Sequence, residues 1–195
     1  MALKEVQAAL ARLFTDEAVR AAFFKDPQSA GRALGLDAGD AALLARMAPP
    51  AIRQFAASLN AKRVLDARKM MPLTAQALGE AFAGHFRAAV APLPETAGRG
   101  EEAQALAGRL ATLAKTRAIA PIWIGDLARY EAAFVEAATR RFGLRLRQFV
   151  YPVATIVVAL RAGAPPGDIA AKPTLGIWAR RPGGRLFHRL WALGF

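Results

Sequence analysis

Few side chains in this 195-residue chain have the types and spacing that catalysis or metal binding requires. The chain has no cysteine, which excludes thiolate chemistry, and its two histidines, His85 and His188, lie far apart without carboxylates at ligand spacing. No acid of the second half has a His or Ser partner at the spacing of a nucleophile and its base, and no phosphate-binding glycine loop is present. We therefore predict that the chain carries no catalytic centre, metal ion or cofactor of its own.

Positive charge is the most pronounced property of the composition. Lys and Arg total 27 against 15 Asp and Glu, which gives a formal net charge of +12. From Thr139 onward ten of these cations accompany a single acid, Asp168, so the charge is concentrated near the end of the chain. Such a segment favours an anionic partner. A mean hydropathy of +0.21 in so charged a chain also indicates exposed apolar surface.

The sequence shows no targeting segment. Lys4, Glu5 and Arg12 interrupt the stretch in which a secretion signal needs an uncharged run. The most apolar stretch, 149–160, contains Pro152 and is too short for a membrane helix, which needs roughly 20 apolar residues. We expect a soluble, cytoplasmic protein without membrane contact, and the lack of cysteine agrees with that compartment.

The elements that position these residues change character along the chain. Over 3–142 apolar residues recur at intervals of three and four, which predicts a series of helices. One spans 51–70, one begins at Thr74 and continues past Phe86, and two more follow at 101–118 and 122–142. The segment 92–100, PLPETAGRG, has the Pro and Gly content of a linker. We therefore predict a helical domain over 1–94 and a second domain over 101–195.

After Gly143 the hydrophobic period becomes two, which is typical of strands. Residues 144–149 alternate in polarity and 153–160 are rich in β-branched side chains, so we expect two strands or one bent strand there. Two further strands, 174–180 and 185–193, predict a hairpin with its turn at 181–184. The predicted fold class is α+β: an N-terminal all-helical bundle followed by a small C-terminal antiparallel β-sheet that packs with one or two helices.

The terminal hairpin is the strongest candidate for a binding site. An edge strand leaves backbone N–H and C=O groups unpaired, and an extended peptide can pair with them. Aromatic side chains would cover apolar residues of such a peptide, and arginines would select acidic ones. The peptide-binding or partner-binding residues predicted on this basis are Trp178, Arg180, Arg185, Phe187, Arg189 and Trp191.

Two other interpretations of the hairpin stay open. Small sheets often pack aromatic side chains against their own helices, and arginine on a solvent-facing side is ordinary. A basic sheet with aromatics also suits nucleic acid, because phosphate neutralisation and base stacking need those residue types. However, the chain has no zinc-finger spacing, no RNA-recognition signature and no basic recognition helix with base-reading Asn or Gln. Nucleic acid is therefore the less favoured ligand.

Residues 121–131, PIWIGDLARYE, place two acids on a predicted helix. Asp126 and Arg129 are three positions apart, so they can form an ion pair on one face. Acids such as Asp126 and Glu131 also suit the first turns of a helix, where the macrodipole favours negative charge. We interpret this segment as structural.

Short motifs along most of the chain resemble a known family. They are Phe55-Ala56-Ala57-Ser58-Leu59 with Lys62-Arg63, Met71-Pro72-Leu73-Thr74 with Leu78-Gly79, and Asp126-Leu127-Ala128-Arg129-Tyr130-Glu131. Together they resemble the HvfC-like family of small bacterial partner proteins, some of which have also been labelled DNA-binding domains. Within this family the chain is most similar to the MbnC-type proteins of methanobactin biosynthesis.

The resemblance implies a role in peptide modification. MbnC-type proteins form a heterodimer with an MbnB-type TIM-barrel oxidase, which holds iron and uses dioxygen to convert cysteines of the MbnA-type precursor peptide into oxazolone and thioamide groups. The product is a copper-binding peptide. The resemblance thus implies a subunit that is not an enzyme on its own, binds no cofactor, recognises the leader of a ribosomally made precursor and completes the oxidase.

Overall fold

The computed structural model of the chain describes residues 3–94, 96–139, 143–164, 166–167, 169–180 and 183–193. Those residues form an α+β protein with its strands near the C-terminus, as predicted. The helices are α1 Leu3–Thr15, α2 Glu17–Lys25, α3 Pro27–Ala33, α4 Ala38–Ala45, α5 Pro49–Met70, α6 Pro72–Leu78, α7 Ala81–Val90, α8 Arg99–Lys115, α9 Ile124–Thr139 and α10 Val153–Arg161. The strands are β1 Gly143–Phe149, β2 Thr174–Arg180 and β3 Leu186–Ala192.

The chain divides into two compact units, Met1–Arg63 and Val64–Phe195, with the boundary inside α5. The first unit is helical, and its small core includes Leu13, Phe23 and Leu44. Aspartates begin several of its helices. Asp16 is an example, since its Oδ1 accepts a hydrogen bond of 3.0 Å from the N–H of Val19 and so satisfies a donor that has no partner within the helix.

The second unit begins earlier in the chain than the predicted boundary between 94 and 101. The helices on either side of segment 92–98, α7 and α8, pack on each other, and α8 packs on α9. Their common core includes Phe82, Phe86, Leu106 and Leu110, which are almost inaccessible to solvent. The prolines and glycines of this segment therefore connect packed helices of one unit and do not separate two domains.

The single helix predicted from Thr74 to beyond Phe86 is two helices, α6 and α7. Gly79 lies between them with φ +55°, a backbone conformation that glycine adopts much more readily than other residues. α6 therefore ends at Leu78 and α7 begins at Ala81. Thr74, the predicted cap, lies inside α6.

The three strands form an antiparallel sheet in the order β1-β2-β3. Residues 181–182 of the predicted turn and 140–142 of the predicted helix lie outside the described residues. The inner face, which packs toward α9, carries Arg145, Arg147, Phe149, Thr174, Gly176, Trp178, Arg180, Leu186, His188 and Leu190. The outer face carries Leu144, Leu146, Gln148, Leu175, Ile177, Ala179, Phe187, Arg189 and Trp191.

The strand predicted over 153–160 is wrong, because these residues form the helix α10. Its buried residues recur at helical spacing and are Val153, Ile156, Val157 and Leu160. They contribute to a core shared with α6 and α9, so tertiary burial outweighs the strand preference of the β-branched side chains. Neither this apolar helix nor any other helix of the described residues is long and apolar enough to cross a membrane.

Candidate functional site

Trp178 fills the centre of the inner face and is fully buried. Its ring centroid lies 5.8 Å from that of Tyr130 and 5.6 Å from that of Phe134, both on α9. Gly176 makes room for the indole, since a Cβ at that position would stand 2.6 Å from it. The prediction that Trp178 contacts a bound peptide is therefore corrected: this side chain packs the sheet on α9.

Arg180 also belongs to the inner face. Its Nη1 donates a hydrogen bond of 2.6 Å to the carbonyl oxygen of Ala138, in the last turn of α9. Cations stabilise this end of a helix because the last carbonyl groups lack partners within the helix and carry partial negative charge. The prediction of Arg180 as a peptide ligand is corrected as well, since its guanidinium caps a helix of its own chain.

Two further arginines of the inner face pair with one carboxylate. Arg145 Nε lies 2.8 Å from Oε1 of Glu136, and Arg147 Nη2 lies 3.1 Å from Oε2. Because Glu136 belongs to α9, both ion pairs hold β1 against that helix. We predicted an anionic ligand from the positive charge of this region, and part of that charge is neutralised by ion pairs within the fold.

The outer face presents apolar side chains to solvent. On β3, Phe187 is 54% exposed and Trp191 36%; on β1, Leu144 is 58% exposed and Leu146 52%. The outer-face residues of β2, between these two strands, are half-buried. A contiguous exposed apolar area of this kind is typical of an interaction site in a soluble protein.

Three of the predicted binding residues meet on the outer face of β3. Arg189 lies between Phe187 and Trp191, and its Cζ is 5.5 Å from the ring centroid of Trp191, a cation–π contact. Arg185 is exposed immediately before the strand begins. None of the three strands contains an acidic residue. Of the six predicted binding residues, the structure thus brings four together on or directly before β3. It separates them from Trp178 and Arg180, which lie on the inner face.

β3 is an edge strand of the described part of the chain, where it pairs with β2 alone. Its second side presents backbone N–H and C=O groups with which another strand can pair. β1 is the other edge, but its outer-face residues are two leucines and a glutamine. Only β3 combines an open edge with exposed aromatic rings and a cation, which are the groups that suit an acidic, apolar peptide.

Both histidines have a pKa below the ordinary value of histidine. His188 lies on the inner face, with ring centroids 4.8 Å from Phe134 and 5.2 Å from Trp178, and burial lowers its pKa. Burial also lowers the pKa of His85, and the charge of Arg109 adds to this effect. Within the described ranges, no group of three or more His, Cys, Asp or Glu is placed to hold a metal ion.

Asp126 does more than form the predicted ion pair. That pair is confirmed, with 3.1 Å between Asp126 Oδ1 and Arg129 Nη1. The second oxygen, Oδ2, accepts hydrogen bonds from the backbone N–H groups of Val150 (2.7 Å) and Tyr151 (3.0 Å). These residues directly follow β1, so the carboxylate ties the end of that strand to α9. The spacing of the sequence predicts the ion pair but contains no sign of this distant contact.

Glu131 joins two of the motifs singled out in the sequence. Its Oε1 and Oε2 accept hydrogen bonds from the backbone N–H groups of Leu73 (2.9 Å) and Thr74 (2.7 Å), in the first turn of α6. Glu131 thus supplies from α9 the cap that was predicted of Thr74. Burial raises the pKa of Glu131, while these N–H groups and the charge of Arg161 oppose the rise. Both acids of segment 121–131 therefore have a structural role.

The candidate functional site is the outer side of β3 and the edge of this strand that pairs with no other strand of the described residues. It consists of Phe187, Arg189 and Trp191, with Arg185 where the strand begins. Its chemistry is apolar and cationic. Comparisons of the chain with protein-family models, with curated proteins and with solved structures gave no match.

Proposed function

We propose that the chain is a non-catalytic subunit that binds a precursor peptide as an added strand on β3. The observation that carries this proposal is one edge strand that presents Phe187, Arg189 and Trp191 together with backbone groups that no other strand of the described residues pairs with. Backbone pairing supplies affinity that depends little on the peptide sequence, and the side-chain contacts supply selectivity.

The pleat of the sheet determines which peptide residues are selected. In an added strand every second side chain points to the outer face, where it lies beside Phe187, Arg189 or Trp191. The two aromatic rings favour apolar peptide residues, and the guanidinium between them favours a carboxylate. The expected ligand is an extended segment in which an acidic residue has an apolar residue two positions away on either side.

In this proposal the peptide is the leader of an MbnA-type precursor and the partner is an MbnB-type iron-dependent oxidase. Support comes from the resemblance of motifs at 55–63, 71–79 and 126–131 to those of MbnC-type proteins. The iron belongs to the oxidase, which converts cysteines of the precursor to oxazolone and thioamide groups during methanobactin biosynthesis. The role of this chain is to hold the leader in an extended conformation beside the oxidase.

Calorimetric titration with the MbnA-type leader of the same genome tests the peptide site. Arg189→Glu should weaken binding at least about tenfold, because it places a carboxylate against an acidic peptide residue. Arg53→Glu, at an exposed position of α5 in the first unit, is the matched control and should leave the affinity unchanged. Equal affinity of both variants and the unaltered chain would remove β3 from the site.

The peptide itself offers a second test, which addresses the backbone pairing. A proline placed within the pairing segment cannot donate to the ladder, so it should weaken binding more than an alanine at the same position. Equal effects of proline and alanine would show that the peptide does not bind as a strand.

Co-expression with the MbnB-type oxidase tests the partner. We expect a heterodimer that persists through affinity purification and size-exclusion chromatography, with conversion of the precursor only when both subunits are present. A chain that elutes apart from the oxidase contradicts this part of the proposal.

Nucleic acid is the alternative ligand, because exposed aromatic rings beside an arginine also suit base stacking and phosphate contact. Titration with unrelated duplex and single-stranded DNA at two salt concentrations distinguishes the two ligands. DNA that binds at physiological salt and displaces the leader would replace the peptide proposal. Binding that is seen only at low salt reflects the net charge of the chain.

A further inference from the structure

The outer face of the sheet is wider than one added strand can cover. Its nine positions form three rows across the sheet, and seven of the nine residues are apolar. A peptide paired with β3 lies at one end of every row. It leaves the exposed leucines of β1 uncovered, since they are two strands or about 10 Å away from β3. The rows are Leu144-Ala179-Phe187, Leu146-Ile177-Arg189 and Gln148-Leu175-Trp191.

A second copy of this chain does not suit the outer face. Face-to-face packing would enclose the Arg189 side chains of both copies, with no acid on any of the three strands to pair with them.

We propose that the apolar outer face of β1 and β2 binds an apolar surface of a folded protein partner, bordered by carboxylates that pair with Arg185. The carboxylates of this partner complement a surface that carries arginine and no acid. The identification of this partner as the MbnB-type oxidase rests on the proposed function. The oxidase then covers β1 and β2, and the unpaired edge of β3 stays open to the leader.

The test is the affinity of the full chain for the purified MbnB-type oxidase, measured by calorimetry. Leu146→Glu places a carboxylate in the middle row and should weaken oxidase binding at least about tenfold. Val158→Glu adds the same charge at an apolar residue of α10 that is 68% exposed, and it should leave oxidase binding unchanged. The leader should bind Leu146→Glu as it binds the unaltered chain, because Leu146 lies two strands from the β3 edge.

A neutral double variant, Leu144→Gln with Leu146→Gln, keeps the test decisive if the added charge impairs folding. Near-UV circular dichroism reports the packing around Trp178 and identifies folded variants. The double variant should also lose oxidase affinity, because it removes apolar surface from the outer face.

The outcomes separate this inference from the proposed function. If the oxidase binds the unaltered chain and Leu146→Glu equally well, the docking surface lies elsewhere and the proposed function stands. If the oxidase does not bind the unaltered chain, the proposed partner and this inference both fail. Loss of leader binding alone in Leu146→Glu would assign the outer face to the peptide. A homodimer of the unaltered chain that Leu146→Glu disrupts would assign the face to a second copy.

Discussion

The two faces of the C-terminal sheet use the same residue types for opposite purposes. On the inner face, Trp178 is enclosed by aromatic rings and Arg180 caps α9. On the outer face, Trp191 and Arg189 contact each other and solvent. The inner pair lies on β2 and the outer pair on the neighbouring strand β3, so the face and not the residue type separates folding from binding. A basic, aromatic strand therefore indicates a binding surface only after its pairing register is known.

The largest expected difference lies between the two tryptophans. Trp178→Ala should lower the free energy of unfolding by about 3–5 kcal/mol, because it removes a fully buried ring from the core. Trp191→Ala, the matched change on the outer face, should lower it by less than about 1 kcal/mol. Chemical denaturation followed by circular dichroism measures both values. Similar losses would mean that the two faces do not differ in their contribution to stability.

The next largest loss of stability is expected at Asp126, whose carboxylate ties the end of β1 to α9. Asp126→Ala removes the acceptor of two backbone N–H groups and the partner of Arg129, and it should cost about 2–3 kcal/mol in urea denaturation. Asp66→Ala is the control: its carboxylate lies 3.8 Å from Lys69 and from Arg99 at the surface, and its loss should cost less than about 0.5 kcal/mol. Equal costs would contradict a bracing role for Asp126.

The two arginines should separate stability from binding. Arg180→Ala should lower the free energy of unfolding by about 1 kcal/mol, through loss of the bond to Ala138, and leave leader affinity unchanged. Arg189→Ala should do the reverse, with unchanged stability and weaker leader binding. Thermal denaturation and calorimetric titration of the same two variants provide the comparison. If Arg180→Ala alone weakens leader binding, Arg180 and not Arg189 contacts the leader, and the correction of its predicted role is overturned.

The smallest expected effect is a pH dependence of the free energy of unfolding that arises from Glu131 on α9. Because burial raises the folded-state pKa of Glu131 above its ordinary value of 4.5, the folded protein holds this proton more tightly than the unfolded chain does. Its stabilising contribution is complete below pH 4.5 and is lost as the pH rises through the raised folded-state pKa. The stability difference between the unaltered chain and Glu131→Gln should therefore shift in favour of Glu131→Gln between pH 4.5 and 7, measured by urea denaturation. A difference that does not change with pH would contradict the raised pKa.

Local sequence patterns predicted the elements whose residues repeat regularly. The alternation of 144–149, 174–180 and 185–193 predicted β1 and the hairpin, and the spacing of leucines predicted α8. The ion pair of Asp126 with Arg129 followed from helical spacing alone. The side on which Arg189 meets Phe187 and Trp191 is likewise a consequence of period two.

What the sequence did not predict depends on contacts between distant segments. Whether Trp178 faces α9 or solvent depends on how that helix packs on the sheet, which no local period reveals. The β-branched segment 153–161 is a helix because its buried stripe meets α6 and α9. Glu131 caps a helix that begins more than fifty residues earlier in the chain. In each case tertiary packing, and not propensity, selects the structure.

The alternation of the two faces also limits how the sheet can assemble incorrectly. A slip of β3 by one residue along β2 would turn Phe187, Arg189 and Trp191 toward α9 and expose His188. The guanidinium of Arg189 would then be desolvated among the rings that now surround Trp178. Because this error carries a high free-energy cost, the burial of the inner face also fixes the register that places Phe187, Arg189 and Trp191 on the outer face.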